Sequence, residues 1–387
     1  MLTKNINFKN FSFNKSNKKI FYLIKKIIKE DNEILRSSKK TYKNSYSKKI
    51  LLKLKKFSKI TLIGIGGSIL GSRSIYSFLR YKIKKKFFFV DDLNLYKLPK
   101  KNKNSQLNLI ISKSGNTLET ISNANILINK SDKNIFITEN KQSYLTNLAK
   151  KLKAEIIHHN NFIGGRYSVL SEVGMLPAEL MGLNIRKFRR FNLLIKNKKF
   201  IEALVQNVSN TLHLVRQKKF NSIILNYDND SSDLFLWYQQ LIAESLGKKS
   251  KGILPIISSM PKDNHSLMQL YLDGFKNNFY TFYFVKEKSS KKINNNNLLN
   301  THFYLKNKDL NSIKQSQFLA TEKVFKKKNI PFRSFLIKKR DEKTLGELFV
   351  FFMLETILLG KAMKLNPYDQ PAVELIKDET KRFLVRT

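Results

Sequence analysis

The stretch LNLIISKSGNTLET, residues 107–120, places a loop of hydroxyl side chains and one glycine directly after a short apolar run. Leu107–Ile111 has the continuous apolar pattern of a strand that is buried on both faces. Asn116 and Glu119 have the spacing of a capping box, which predicts that a helix begins there. A Ser/Thr/Gly loop at a helix N-terminus directs free backbone N–H groups at one point, and Lys113 adds a full positive charge. The stretch therefore predicts an α/β fold with a phosphate site at one strand end.

The same alternation of strand and helix continues on both sides of this stretch. Before residue 195 the other predicted strands are Ile60–Ile65, Phe87–Val90, Asn134–Thr138 and Glu155–His158, with helices at Ser74–Lys82, Thr117–Ile128 and Ser143–Leu152. After residue 195 a long helix, Lys198–Lys218, precedes strands at Ser222–Tyr227, Gly252–Ile257, Phe279–Val285 and Arg333–Ile337, separated by helices at Asp233–Leu246, His265–Phe275 and Ser312–Lys327. Short apolar strands alternating with helices predict doubly wound parallel sheets covered by helices on both faces.

The pattern predicts four segments. Residues 1–50 form a basic N-terminal arm with one helix, and residues 51–195 form a first domain that carries the phosphate loop. Residues 196–365 form a second parallel-sheet domain, and residues 366–387 form a C-terminal tail helix.

Composition restricts the class of protein. The 387 residues are 42% hydrophobic and include no cysteine, which excludes disulfides, thiolate metal sites and cysteine nucleophiles. No apolar run reaches the roughly 18–20 residues of a membrane span, and the basic N-terminus lacks the apolar core of a secretory signal. We therefore expect a cytoplasmic globular protein with no membrane partner.

The formal net charge of +44 suggests a polyanion-binding protein when it is considered alone. However, 61 of the 73 basic residues are lysine and only 12 are arginine, and they are spread along the whole chain. A dedicated nucleic-acid binder concentrates its basic residues on one element and favours arginine. The basic residues are therefore interpreted as part of a solvated surface, and no specific nucleic-acid partner is expected.

A second loop suited to phosphate follows the first predicted strand. Gly64–Gly71 reads GIGGSILG, in which glycines allow a ligand to approach the backbone closely. A dinucleotide-binding turn is the alternative, which Asp91 and Asp92 keep open although the GxGxxG spacing is absent. Two neighbouring strand ends with such loops are stronger evidence for a phosphate site than either loop alone, because ligands bind where strand ends converge.

Three residues elsewhere are candidates for chemistry. Arg166 follows two glycines, Glu244 lies at the negative end of its predicted helix before Gly247, and His265 lies in the first turn of another helix. A carboxylate at a helix C-terminus is disfavoured as an anion, which suits a general base or acid. A solvated surface glutamate is the alternative for Glu244, and a structural arginine paired with a carboxylate is the alternative for Arg166. No HExxH or similar spacing is present, so no metal is expected.

Taken together and in order, these motifs resemble the glucose-6-phosphate isomerase family. The resemblance is carried by Gly64–Gly71, Ser112–Thr120, Gly164–Ser168, Glu244–Lys248 with His265–Gln269, and Gln370–Lys377, and so covers most of the chain. It implies two α/β domains of the sugar-isomerase type, no cofactor, and a homodimer in which the partner subunit supplies the ring-opening histidine. Ala372 and Ile376 stand where the family usually has glycine.

The resemblance also implies a role for each residue. The 6-phosphate would be held by Ser112, Lys113, Ser114 and Thr117, with Gly67 and Ser68 nearby. His265, with Lys377, would open the sugar ring, and Glu244 would move a proton between C1 and C2 through a cis-enediol. Arg166 would stabilise the enediolate charge, and Gln370 would contact the substrate.

Three rival functions remain open from the sequence. A related isomerase would also accept mannose 6-phosphate, a non-catalytic sugar-phosphate sensor would not need Glu244, and a polyanion-binding protein would ignore sugar phosphates.

Overall fold

The computed structural model of the chain describes residues 2–13, 17–94, 106–287 and 290–386. The strands in these ranges form two five-stranded sheets. Numbered in chain order, they are β1 (Ile6–Lys9), β2 (Lys59–Ile63), β3 (Lys86–Val90), β4 (Gln106–Ile111), β5 (Lys133–Thr138), β6 (Glu155–His158), β7 (Asn221–Asn226), β8 (Leu254–Ser259), β9 (Asn278–Val285) and β10 (Phe332–Ile337).

The first sheet has the order β3-β2-β4-β5-β6, and all of its pairs are parallel. Its strands are apolar because helices cover both faces, so neither face meets water. The chain leaves β2 toward one edge and returns as β4 on the other side. The loops that follow β2 and β4 therefore lie side by side at the switch point, where ligands bind in such sheets.

The second sheet has the order β1-β10-β9-β7-β8. Its four later strands are parallel, whereas β1 pairs antiparallel with β10, joining Ile6 to Ile337. The predicted strands of both sheets are present, with ends that differ by no more than two residues. The sequence analysis missed β1, because a four-residue edge strand in a basic segment gains its stability from its distant partner β10.

The α-helices are Lys18–Lys29, Glu33–Ser37, Lys48–Lys55, Leu70–Phe78, Leu118–Leu127, Tyr144–Lys151, Glu172–Leu180, Ile185–Phe188, Phe191–Ile195, Lys198–Arg216, Ser232–Leu246, Met268–Asp273, Leu310–Lys327, Glu342–Ala362 and Glu374–Arg386. Short 3-10 turns lie at Gly66–Ser68, Arg80–Lys82, Gly165–Leu170, Asn229–Ser231, Lys262–His265, Asn295–Asn297, Asn300–Leu305 and Pro371–Val373. The helix predicted at Ser74–Lys82 begins four residues earlier, at Leu70, because the Gly66–Ser68 turn leads almost directly into it.

Two helices bring the sheets together. The helix Ser232–Leu246 packs against Leu70–Phe78 of the first sheet unit and against Glu342–Ala362, whose residues 344–360 are all buried. The C-terminal end of Ser232–Leu246 is thereby fixed beside the loops of the first sheet. In the part of the chain that the structure describes, no helix has the length and apolar character needed to cross a membrane. The boundaries proposed for the four segments stay predictions.

Candidate active site

Arg166 is the centre of the candidate site. It lies in the 3-10 turn Gly165–Leu170 and is only 1% exposed. Its Nε donates to Ser245 Oγ at 2.8 Å, and its Nη1 donates to Glu244 Oε2 at 3.0 Å. The same Nη1 donates to the Gln370 side-chain oxygen, while Nη2 donates to the carbonyls of Pro367 and Asp369 at 2.9 and 3.0 Å. One buried guanidinium thus joins three segments that are distant in sequence.

Glu244 is held at both carboxylate oxygens. Arg166 binds Oε2, and Gln240, one turn earlier on the same helix, donates from Nε2 to Oε1 at 2.8 Å. The Glu244 side chain is still 31% exposed, and it lines a cavity of about 630 Å³ together with Lys248 and Gln370. A carboxylate that is oriented on both sides and yet reachable from a cavity can exchange a proton with a bound molecule.

The sequence analysis missed Gln240. Its spacing of four residues from Glu244 on one helix face is the signal that could have found it, since such residues are neighbours on a helix. Gly247 does end this helix, as expected from its place after Leu246.

The first glycine loop touches this centre directly. A Cβ on Gly67 would lie 2.2 Å from the carbonyl carbon of Gly165, so neither loop could approach the other if Gly67 carried a side chain. Gly66 has φ +54° and faces the Gln240 amide, and Ser168 Oγ donates to the Gly67 carbonyl at 3.2 Å. Ser68 is half-buried in the same turn. The end of β2 is therefore in contact with the Arg166 turn.

The loop after β4 has the geometry of an anion site. Ser112 Oγ lies 2.8 Å from Thr117 Oγ1 and also accepts from the Gly115 N–H at 3.2 Å. Gly115 has φ +68°, and a Cβ there would lie 2.1 Å from Ser143 Oγ. Ser114, which is exposed, accepts from the Asn116 N–H at 3.2 Å. The hydroxyls thus gather at the N-terminus of the helix that follows, where the first N–H groups have no partner within the helix.

The capping box predicted for this helix is wrong. The N-cap residue is Thr117, which makes no side-chain cap bond, and the helix begins at Leu118. The Asn116 side chain instead accepts from the Tyr144 N–H at 2.9 Å. This bond ties the loop to the next helix and leaves the helix end without a side-chain cap.

Lys113 provides a positive charge beside the loop. Its Nζ lies 3.3 Å from Glu139 Oε1, while Lys141 Nζ lies 2.7 Å from Glu139 Oε2. Burial raises the pKa of Glu139, but the bonds from Lys141 and Lys113 outweigh burial and hold that pKa below its usual range. Lys113 is 35% exposed, so a bound phosphate can compete with Glu139 for it.

Within residues 221–287 and 290–386, the described part of the second sheet, no comparable hydroxyl loop lies at the switch point between β7 and β9. There Arg340 is paired with Asp228 at 2.7 Å and with Glu287 at 2.5 Å. An arginine with two carboxylates occupies the place that the hydroxyl loop takes in the first sheet. The phosphate-suited crevice therefore belongs to the first sheet and the carboxylate to a helix of the second.

His265 and Lys377 do not join this centre in the single chain. His265 is exposed and ends the 3-10 turn Lys262–His265, so its predicted place in the first turn of a helix is wrong. The nearby Asp263 carboxylate accepts from Ser258, Ser259 and Ser266, and the next helix begins only at Met268. Lys377 is exposed on the terminal helix and pairs with Glu374 at 2.7 Å. Among the described residues, no hydrogen bond or ion pair connects either side chain to Glu244 or Arg166.

Comparisons with solved structures agree with this fold. A crystal structure of a hypothetical protein from Thermus thermophilus has a TM-score of 0.81 at 21% identity, covering 95% of this chain and 94% of that one. A glucose-6-phosphate isomerase from Chlamydia trachomatis has a TM-score of 0.68 at 18% identity, covering 94% and 78%. The fold is thus of the α/β class with two sugar-isomerase-type sheets, and the predicted fold class is confirmed.

Sequence comparison identifies the family. A model of the family described as phosphoglucose isomerase matches residues 12–386. The glucose-6-phosphate isomerase of Methanocaldococcus jannaschii is 32% identical over 335 residues, covering 82% of each chain. A probable glucose-6-phosphate isomerase of Methanococcus maripaludis is 32% identical over 393 residues, covering 94% of this chain and 86% of that one. The chain belongs to the phosphoglucose isomerase family and is an isomerase, which confirms the resemblance read from its motifs.

Proposed function

We propose that the chain interconverts glucose 6-phosphate and fructose 6-phosphate, acting in the cytoplasm as an enzyme of glycolysis and gluconeogenesis. The observation that carries the proposal is the pairing of a buried arginine, Arg166, with a cavity-facing carboxylate, Glu244, beside a phosphate-suited loop. Aldose–ketose isomerisation needs one base that can move a proton between neighbouring carbons, one group that stabilises the charge, and a grip on the phosphate.

In the proposed reaction, Ser112, Lys113, Ser114 and Thr117 bind the 6-phosphate, with Gly67 and Ser68 beside them. Glu244 removes the proton from C2 of the open aldose and returns it to C1 through a cis-enediol. Arg166 stabilises the negative charge that develops on the enediolate oxygen, because its guanidinium is fixed before the substrate arrives. Gln370, which shares Nη1 of Arg166 with Glu244, contacts the substrate.

Ring opening is assigned to His265 of the partner subunit, assisted by Lys377. The proposal of a homodimer is supported by the exposed position of His265, which a second copy could bring to the cavity. The terminal helix also leaves apolar side chains exposed, including Leu375 at 72% and Ile376 at 71%. A subunit contact that covers these side chains would also reorient Lys377.

The test is a coupled assay of fructose 6-phosphate conversion with wild type and Glu244→Gln. We expect turnover that persists in EDTA and falls by about 10³-fold or more in Glu244→Gln, because the amide cannot accept the proton. Binding of the inert ligand sorbitol 6-phosphate should be retained. Glu202→Gln, an exposed glutamate on the helix Lys198–Arg216, is the matched control and should keep full activity. Full activity in Glu244→Gln would exclude the mechanism, whereas binding without turnover in the wild type would favour a sensor.

A hybrid-dimer experiment tests the shared site. Glu244→Gln and His265→Ala are each expected to be inactive. When the two are unfolded and refolded together, one site of each hybrid dimer combines an intact Glu244 with an intact His265 from the other subunit. Recovery toward a quarter of wild-type activity is expected; no recovery would mean that both residues act from one chain.

A further inference from the structure

A buried ion pair lies at the base of the segment that carries Arg166. His159 Nδ1 is 2.6 Å from Glu172 Oε1, and the two side chains are 1% and 2% exposed. His159 directly follows β6, and Glu172 is the first residue of the helix Glu172–Leu180. The pair therefore joins the two ends of the segment 159–172 and closes it into a loop, with Arg166 near its middle.

The same two side chains also hold the backbone inside this loop. His159 Nε2 lies 3.0 Å from the Ile163 carbonyl, and the Asn160 N–H donates to Glu172 Oε1 at 3.0 Å. Ile163 immediately precedes the glycine pair Gly164-Gly165. Glycines allow the sharp turn before Arg166 but do not fix its direction, because they restrict the backbone least. The direction must therefore come from the bonds that precede and follow them.

Each ring nitrogen of His159 has a partner of its own, the Glu172 carboxylate at Nδ1 and the Ile163 carbonyl at Nε2. Burial raises the pKa of Glu172, but the bond and charge of His159 and the Asn160 N–H outweigh burial and hold that pKa below its usual range. The pair is buried, so removal of one partner leaves a buried polar group without its bond, which is costly.

Other polar groups face this pair from the N-terminal segment and from the chain beyond it. Tyr42 donates from its hydroxyl to Glu172 Oε2 at 3.2 Å, and Glu33 accepts from the Asn160 side chain at 2.8 Å. The Arg189 guanidinium lies 5.0 Å from the centre of the Tyr42 ring. Lys43 and His158 line the surface cavity outside the pair.

We propose that the His159–Glu172 pair is a positioning clamp for Arg166, which holds both ends of the loop that carries this arginine. The proposal rests on the proposed function, since it assumes that Arg166 stabilises charge in the reaction. One ring nitrogen of His159 contacts Glu172 and the other contacts the Ile163 carbonyl. When either side chain of the pair is removed, the loop before Arg166 is held on one side only.

This role predicts a specific kinetic result. Loss of the clamp should lower kcat, because a shift of about 1 Å in a positioned group can cost about 10²-fold. KM for fructose 6-phosphate should change by less than about threefold, because phosphate binding is assigned to the loop after β4, which is a separate segment.

The experiment compares Glu172→Gln with Glu179→Gln in the full chain. Glu179 lies on the same helix and accepts from Tyr46 at 2.6 Å, much as Glu172 accepts from Tyr42. Among the described residues, no hydrogen bond or ion pair joins the Glu179 side chain to the segment that carries Arg166. We expect Glu172→Gln to lower kcat by about tenfold or more with little change in KM. Glu179→Gln should keep both the wild-type kcat and the wild-type KM. Equal kcat values in the two variants would overturn the clamp.

His159→Gln provides a second test that does not depend on the folding of Glu172→Gln. Glutamine has one side-chain nitrogen in place of the two ring nitrogens, so kcat should fall while KM changes little; a wild-type kcat would overturn the clamp. Hydrogen exchange of the amides of residues 160–166 should accelerate in both variants, and unchanged exchange would likewise contradict the clamp. If the wild type has no turnover, the proposed function fails, whereas the exchange measurement still decides whether the clamp exists.

Discussion

Replacement of Arg166 by lysine tests the centre of the candidate site most sharply. The Arg166 guanidinium makes five hydrogen bonds, to two side chains of the helix Ser232–Leu246, to Gln370, and to two backbone carbonyls. A lysine ammonium has three donors and lacks the planar fork. At least two of the five acceptors therefore lose their partner in a place where Arg166 is only 1% exposed.

The cost follows from these losses. A hydrogen bond to a charged group contributes about 1.5–3 kcal/mol, so the loss of two such bonds should lower the free energy of unfolding of Arg166→Lys by about 3–6 kcal/mol. If the guanidinium stabilises the enediolate, kcat should fall by about 10²- to 10³-fold, the effect seen when one preorganised donor is removed from an oxyanion site. Urea unfolding measures the first quantity, and the coupled assay with fructose 6-phosphate measures the second.

Arg333→Lys is the matched control for this prediction. Arg333 is also buried, and it pairs with Glu355 and donates to Asn207, Thr281 and Tyr238 in the core of the second sheet. Its replacement should lower the free energy of unfolding by a similar amount. The folded protein should keep kcat within about threefold of the wild-type value, because substitutions at distant sites usually act independently. If Arg166→Lys loses stability but keeps wild-type kcat, Arg166 is structural and the catalytic assignment is wrong.

Three further predictions concern the loops around this centre. Lys113→Ala should raise KM for fructose 6-phosphate more than it lowers kcat, because Lys113 lies at the proposed phosphate loop. Steady-state kinetics measure both constants, with the exposed Lys153→Ala as control. A change in kcat alone would contradict this prediction. Gly67→Ala should reduce both stability and kcat, since its Cβ would lie 2.2 Å from the Gly165 backbone. The control is Gly182→Ala, where φ is +83° but no atom lies within 4 Å of the added Cβ, so only backbone strain is introduced. Equal kcat values in the two variants would refute the close-contact argument. Glu139→Gln should lower the free energy of unfolding near neutral pH, because the folded-state pKa of Glu139 lies below its unfolded value. That stabilisation is fully present above the ordinary glutamate pKa of about 4.3 and is lost as the pH falls through the folded-state pKa, so urea titrations of the two proteins should converge at acid pH.

Sequence reasoning succeeded where the physical cause is local. Continuous apolar runs such as Leu107–Ile111 identify buried strands, because a strand with helices on both faces has no wet side. The hydroxyls of Ser112 and Thr117 lie together after β4, at 2.8 Å, because this loop geometry is completed within a few residues; phosphate binding there stays a prediction. The predicted capping box failed for an equally physical reason: the Asn116 side chain found a better donor in Tyr144, which lies in the next helix.

By itself, the sequence determined two parallel-sheet units, the glycine and hydroxyl loops at their strand ends, and the family to which their order belongs. Only the tertiary structure decided that the Arg166 guanidinium meets Glu244, 78 positions away, and Gln370, 204 positions away. It also decided that Gln240 holds the other carboxylate oxygen, that Ile6–Lys9 completes the second sheet, and that His159 and Glu172 close the Arg166 segment. Periodicity reports which face of an element is buried, whereas these contacts depend on how whole elements pack, and that information is not contained in any single stretch of the chain.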